Sequence, residues 1–302
     1  MRGDGVIARA AAARPAIDAC SVAGVGPPAA PRLALGVARV EDVPARRDWL
    51  SPEERRVLDG LRLPKRRIDW LLGRWVAKLA LRGIEGLDGA GLAEFAVLAA
   101  PDVAPEVLDL RRGMAGSGAV PVTLSLSHSH RVGFAVARAG AGAVGCDVEW
   151  IEPRSRRFLD DYFTPEERTW VLAAAPAEEA LRATLTWSAK ESALKLLRHG
   201  LRLDTRAVVV RPPCVAGSNA SARGWCALEV EAPGGEAFHG WWRASAGFVW
   251  TVLRTPASAA SAPVLPPWPR TVATGPWPAS MPMGWKSLND KALGLAAGVT
   301  KP

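Results

Sequence analysis

The sequence predicts an α+β protein made of two similar α+β halves related by a pseudo-twofold axis, with a ligand cleft between them. Three observations carry that expectation. Ser51-Pro52-Glu53-Glu54-Arg55 followed by Val57-Leu58 returns as Thr164-Pro165-Glu166-Glu167-Arg168 followed by Val171-Leu172. A strand pattern precedes each copy (Leu35 to Val40, Val144 to Glu149), and a long helical pattern follows each (Ile68 to Leu81, Leu181 to Leu197). Finally, 49% of the 302 residues are apolar, enough to bury a sizeable core.

The elements follow in order. Residues 1–31 are rich in Ala, Gly and Pro without a sustained period and read as a flexible N-terminal tail. The first half is expected over 32–121. After its opening strand, Ser51 is an N-cap, Pro52 at the first helical position gives up no needed N–H, and Glu54 closes a capping box at the positive helix end. The long helix then carries Trp70, Arg74 and Lys78 at i, i+4 and i+8, and Glu94 to Ala100 reads as a strand. The second half is expected over 122–254. It opens on strands Val122 to Ser127 and Val132 to Arg138, continues with Val144 to Glu149, and repeats the cap at Thr164. Its long helix carries Trp187, Glu191 and Lys195 at the same spacing; Ala207 to Arg211, Trp225 to Glu231 and a hairpin over Phe238 to Arg254 complete it. Residues 255–302 hold nine of the 25 prolines and form a Pro/Ala/Trp-rich tail, with Trp268, Trp277 and Trp285 available to pack it onto the body.

Composition excludes several classes. No apolar run approaches the about 20 residues a membrane span needs. Cys20, Cys146, Cys214 and Cys226 lack C-x-x-C spacing and do not cluster with the four histidines, which argues against zinc and fits a reducing, cytoplasmic setting. Asp4, Arg14, Pro15 and Asp18 interrupt the N-terminal stretch before it makes a signal-peptide core. With 38 Lys and Arg against 30 Asp and Glu, the net charge of +8 favours anionic partners without choosing among them.

The chemistry lies in what the halves do not share. Where the first strand offers Ala38 and Val40, the second offers Asp147 and Glu149, which at i and i+2 project from one face. Glu191 stands where the first helix has Arg74, so three carboxylates converge if the helix covers that strand. Such an oxygen-only cluster suits Mg²⁺, with Mn²⁺ also open, and Lys190 and Lys195 would balance phosphate charge. The same residues admit plainer readings: a solvated strand edge for Asp147 and Glu149, and a helical i, i+4 pair for Glu191 and Lys195 worth about 0.3–0.5 kcal/mol. Trp187 reads as core and Glu167 as a cap, and neither joins the catalytic set. No Walker loop or other phosphate-cradling Gly-rich turn is present.

Taken together, Gly145-Cys146-Asp147-Val148-Glu149 and, about 40 residues on, Trp187-Ser188-Ala189-Lys190-Glu191-Ser192-Ala193-Leu194-Lys195 resemble the paired signatures of the 4′-phosphopantetheinyl transferases, specifically the larger, monomeric, two-half surfactin-synthetase-activating type. Leu124 to Ser129, Leu71-Leu72-Gly73-Arg74 and the Thr164 helix start agree in order, so the resemblance covers about residues 35–254. It implies transfer of the 4′-phosphopantetheine arm of coenzyme A to a serine of an apo acyl or peptidyl carrier protein, as in fatty-acid, polyketide or nonribosomal peptide assembly, with release of adenosine 3′,5′-bisphosphate. It also implies Asp147, Glu149 and Glu191 as metal ligands, Asp147, Glu191 and Lys195 as catalytic, Lys190 and Lys195 as phosphate contacts, Ser127 and His128 as coenzyme A contacts, and Arg66, Arg67 and Arg74 at its nucleotide end. Two positions depart from the family pattern. Ala104-Pro105-Glu106 replaces a basic turn, and Glu152 stands where a lysine is frequent; Arg111, Arg112, Arg131 and Arg154 are candidates to compensate. His130 reads as a turn residue. A non-catalytic coenzyme A or carrier-binding module and a basic nucleic-acid binder are the rival readings.

Overall fold

Strand β1 (Leu33–Arg39) alternates between two cores: Ala34 and Ala38 face one way, Leu33 and Val37 the other. This alternation fixes the layering. The computed structural model describes residues 33–84, 86–111, 121–213 and 225–255, so the expected N-terminal tail, the C-terminal tail after Thr255 and Arg112 lie outside the described residues.

The first half runs β1, α1 (Pro52–Gly60), α2 (Pro64–Leu81), β2 (Phe95–Ala99), β3 (Pro105–Asp109), β4 (Val122–Ser129) and β5 (Val132–Ala139). β1, β5 and β4 form an antiparallel sheet in that order, with Leu35 opposite Val136 and Leu126 opposite Ala135; β2 and β3 form a hairpin. The second half runs β6 (Val144–Trp150), α3 (Arg156–Tyr162), α4 (Pro165–Leu172), α5 (Pro176–Leu196), β7 (Val209–Val210), β8 (Cys226–Glu231), β9 (Ala237–Ser245) and β10 (Phe248–Arg254). Its antiparallel sheet has the order β6-β10-β9-β8-β7. Each half is thus a strand, a capped helix, a long helix and four strands, the last pairing with the first; α3 is the second half's addition. That shared order is what a pseudo-twofold arrangement requires.

The pairing moves one expected boundary. A division between 121 and 122 would separate β4 and β5 from β1, their hydrogen-bonded neighbour. We place it in the turn between Ala139 and Val144. Long-range pairing of this kind leaves no local trace in the sequence. The helix α2 packs on one face of the first sheet through Leu72, Val76, Ala77 and Ala80, while Val132, Phe134 and Val136 on its other face meet Cys146, Val148, Trp250 and Val252 of the second sheet. α5 covers the far side of the second sheet with Leu185, Ala189 and Ala193.

Both helix starts form as the residue pattern predicts. Ser51 Oγ accepts from Glu54 N (3.2 Å) while Glu54 Oε2 accepts from Ser51 N (2.9 Å), and Thr164 and Glu167 repeat the box at 3.3 and 2.8 Å. The capping glutamates then reach further. Glu54 pairs with Lys78 at 2.7 Å and accepts from Val97 N at 3.0 Å; Glu167 pairs with Lys190 at 2.9 Å and accepts from Val210 N at 2.7 Å. Each lysine also donates to two carbonyls, Leu92 and Phe95 for Lys78 and Thr205 and Val208 for Lys190. A buried staple therefore joins cap, long helix and following strand in each half.

This corrects one expectation. Lys190 is 0% exposed and committed to Glu167 and two carbonyls, so it faces no cleft and does not serve as a phosphate contact. Lys78 makes the same kind of contacts in the first half. The strand alignment stands: Gly36 and Gly145 make the same close approach, and a Cβ on either would sit 1.9 Å from the carbonyl oxygen of Val76 or Ser192.

Candidate active site

On β6, Gly145 lets α5 approach the strand, and the residues two and four further along, Asp147 and Glu149, share the face toward that helix. Asp147 is nearly buried. Its Oδ1 accepts from Lys195 Nζ (2.7 Å), one turn beyond Glu191 on α5, and from Ser127 Oγ (2.6 Å) on β4. β4 is held beside β6 by Cys146 N donating to Ser125 Oγ at 2.9 Å. Both halves therefore build the site. Asp147 Oδ2, also buried, has no hydrogen-bond partner among the described residues.

Glu149 Oε2 lies 3.4 Å from Ser129 Oγ and 3.6 Å from Arg154 Nη2. Burial pushes the Glu149 carboxyl up to about 8, with Asp147 and Glu191 adding to the rise and Arg154 and Lys195 opposing it. Burial likewise pushes Glu191 up to about 7, opposed by Lys195 and reinforced by Asp147. Lys195 moves up from the ordinary lysine range: burial lowers it, and the attraction of Asp147 and Glu191 overcomes burial. The three acids thus feel one another's charge. Lys195 pairs with strand Asp147 rather than with Glu191 one turn away, so the plain helical ion pair is not the one formed.

The donor set fits a hard divalent cation: three carboxylates, one with a buried unpartnered oxygen, and two of them burdened by mutual repulsion. Among the described residues no three such groups are gathered closely enough to hold an ion as they stand, so Asp147, Glu149 and Glu191 would have to draw together on one.

Two cavities flank the cluster. One of about 440 Å³ lies between the halves, lined by Arg74, Leu98, Leu124, Lys195, Leu196 and Arg198. A second of about 610 Å³ is lined by Lys65, Arg66, Trp70 and His128 and shares Arg74 and Leu126 with the first. Lys195 stands on the wall of the first and His128 on that of the second.

The remaining expected residues divide. Arg74 faces both cavities; burial lowers its guanidinium to about 10, partly offset by Glu54, and its Nε lacks a partner among the described residues. Arg66 lines the second cavity. His128 lies on the same wall, its imidazole lowered from the ordinary histidine value by desolvation, with Asp69 opposing and Lys195 and Lys65 reinforcing. Ser127 holds Asp147 rather than opening onto the cleft. Arg67 donates to the carbonyls of Leu58 and Leu61 and so caps the end of α1. Arg111 and Arg131 pair with Asp109 and Glu41, whereas Arg154 reaches the acids by bridging Glu149 and Glu152. His130, at φ 47° in the β4–β5 turn, is the turn residue its position suggested. Ser129 was part of a quoted motif but given no role, and Arg198 was missed, because an arginine past a helix end carries no local signal.

Residues 143–229, which hold Asp147, Glu149, Glu191 and Lys195, match the profile of the 4′-phosphopantetheinyl transferase superfamily. Two solved structures are similar over about a third of the chain. A holo-(acyl-carrier-protein) synthase from Bacillus anthracis, in complex with CoA (3′,5′-ADP), is 19% identical over 36% of this chain and 96% of its own, with a TM-score of 0.30. An apo-ACPS from Chronobacterium ammoiniagenes is 22% identical over 37% of this chain and 99% of its own, with a TM-score of 0.29. Such loose superpositions assign no geometry. Among curated proteins nothing matches.

Proposed function

We propose, from the match of residues 143–229 to the 4′-phosphopantetheinyl transferase superfamily, that this protein moves the 4′-phosphopantetheine arm of coenzyme A onto a serine hydroxyl of an apo acyl or peptidyl carrier protein, releasing adenosine 3′,5′-bisphosphate. The observation that carries the reading is Lys195, held by Asp147 at 2.7 Å and facing a cleft built by both halves, with Glu149 and Glu191 electrostatically linked to that pair. Phosphoryl transfer needs cations at the diphosphate and a base at the nucleophile. Lys195 provides the first, held in place by Asp147; Arg74 and His128 lie where the rest of a nucleotide diphosphate would run.

Glu191 is suited to the second task. It stands on α5 one turn before Lys195, so it would take the serine proton as the oxygen attacks the phosphorus and the bond to the bisphosphate breaks. Lys195 would then stabilise the charge gathering on the departing bisphosphate. Ser127 orients Asp147 through Oδ1 and leaves Oδ2 for a ligand. When bound by Asp147, Glu149 and Glu191, Mg²⁺ or Mn²⁺ supplies charge neutralisation along the diphosphate.

The carrier is expected to be acidic, matching a chain of net charge +8. Nucleic acid is the poorer match, since Trp49, Trp187, Trp242 and Trp250 are buried instead of forming a stacking surface. One chain supplies both walls of the cleft, so a monomer suffices; a tight dimer by sedimentation at micromolar concentration would count against this. No described helix is long and apolar enough to cross a membrane. The activity is tested by intact-protein mass spectrometry of apo carrier proteins incubated with the enzyme, coenzyme A and Mg²⁺. A gain of one phosphopantetheine that needs the metal and vanishes in Asp147→Ala and Glu191→Gln supports the reading. Absence of both transfer and Mg²⁺-dependent coenzyme A binding sinks it.

A further inference from the structure

The cavity between the halves carries an arginine that no motif announces. Arg198 follows α5 with φ at 58°, the left-handed position that favours glycine at a helix end, and its side chain extends back across the cavity to the β2–β3 turn of the other half. There it grips Asp102 with two bonds, Nε to Oδ2 at 2.6 Å and Nη2 to Oδ1 at 2.9 Å, and lies 3.7 Å from Glu106. All three residues line the cavity. The pair is about half exposed, a setting in which ion pairs add little to stability, so holding the fold together is a weak reason for so specific a geometry.

The charge pattern of the cavity supplies a better one. Lys195 is matched by Asp147 at the inner end, whereas Arg74 has its Nε buried and unpartnered among the described residues. A phosphate drawn to Arg74 needs a second donor, and Arg198 is the remaining cation on that wall, with a planar fork suited to phosphate oxygens. The turn it reaches is the one where Ala104-Pro105-Glu106 offers no basic side chain. We propose that Arg198 is a phosphate-binding residue for the nucleotide co-substrate, and that Asp102 competes with that phosphate for the same guanidinium.

Competition gives the two partners of one salt bridge opposite effects, whereas a structural staple gives them the same effect. The inference rests on the coenzyme A reading, and the test separates the two. Calorimetric titration with coenzyme A and with 3′-dephospho-coenzyme A, in Mg²⁺, is run on the full-length protein, Arg198→Ala and Asp102→Asn, with thermal melts as a check on folding. Arg198→Ala is expected to weaken coenzyme A binding about tenfold, the scale of one charge-assisted hydrogen bond, and Asp102→Asn to tighten it a few-fold. A loss confined to coenzyme A places Arg198 on the 3′-phosphate; an equal loss for both ligands places it on the diphosphate; either supports the proposal. Unchanged binding in Arg198→Ala, or weaker binding in both variants, overturns it and leaves the transferase reading intact. No binding of either nucleotide by the unmodified protein overturns the proposed function and this inference with it.

Discussion

Replacing Lys190 by alanine should destabilise the protein severely without touching the cleft. The side chain is fully buried and makes three contacts, 2.9 Å to the Glu167 carboxylate, 2.9 Å to Thr205 O and 2.6 Å to Val208 O. Its removal leaves Glu167, 2% exposed, as a buried anion with the N–H groups of Thr164 and Val210 to offset it, and strips two carbonyls of a donor. Breaking a buried pair from one side costs about 3–5 kcal/mol. With a urea slope of about 2–3 kcal/mol/M for a fold of this size, the unfolding midpoint should fall by roughly 1–2.5 M. Lys78→Ala should fall by a similar amount, because the first half carries the same staple to Glu54, Leu92 and Phe95. Lys65→Ala, which removes an exposed pair with Asp69, should cost under about 1 kcal/mol. Equilibrium urea unfolding followed by tryptophan fluorescence reads all three. A Lys190→Ala protein with an unshifted midpoint but no transfer activity would refute the reasoning, because it would return Lys190 to the chemistry.

Three further outcomes follow from the same geometry. Burial and like-charge neighbours keep Glu149 and Glu191 protonated up to about 8 and about 7, so between the ordinary value of 4.5 and about 8 the folded state binds more protons than the unfolded one. Stability in metal-free buffer should therefore decline as pH rises through that window, and Glu149→Gln should flatten the decline; urea midpoints at several pH values check it, and a rise with pH would contradict it. Ser127→Ala removes the 2.6 Å bond to Asp147, and a drop of about tenfold in turnover, with the midpoint changed by little, is expected in the mass-spectrometric assay. Gly36→Ala and Gly145→Ala each drive a methyl to within 1.9 Å of a helix carbonyl, so both should lose about 1–3 kcal/mol or more in thermal melts.

The sequence shows those features that are local and hides those that depend on pairing. Ser51, Thr164 and their capping glutamates announce helix starts because a cap acts within three residues. That Asp147 and Glu149 share the strand face that Lys195 reaches from α5 was legible because strand period and helix turn each fix a face. Lys190 was misplaced for an equally physical reason. It stands beside Glu191 in sequence, yet adjacent helical residues point about 100° apart, so only one of the two can face the strand acids. Arg67 and Ser127 were expected as ligand contacts from the resemblance alone, and local sequence carries no sign of the partners they have, the α1 carbonyls and Asp147.

The two staples and the two glycines also explain why a duplicated fold has one site. Gly36 and Gly145 set equivalent helix-on-strand approaches, and the Glu54–Lys78 and Glu167–Lys190 pairs secure equivalent helices, so both halves retain the scaffold. Two residues beyond each glycine, the first half places Ala38 against α2 and the second places Asp147 against Lys195. Ala38 belongs to an apolar cluster shared with α2. Asp147 survives burial because Lys195 comes from its own half and Ser127 from the other. On the proposed function, the first half lends the site Ser127, Arg74 and the cavity wall, and the second supplies the acids. Severing the halves should abolish coenzyme A binding even if each fragment kept its helix staple, and recovery of binding on mixing the fragments is the result this division of labour predicts.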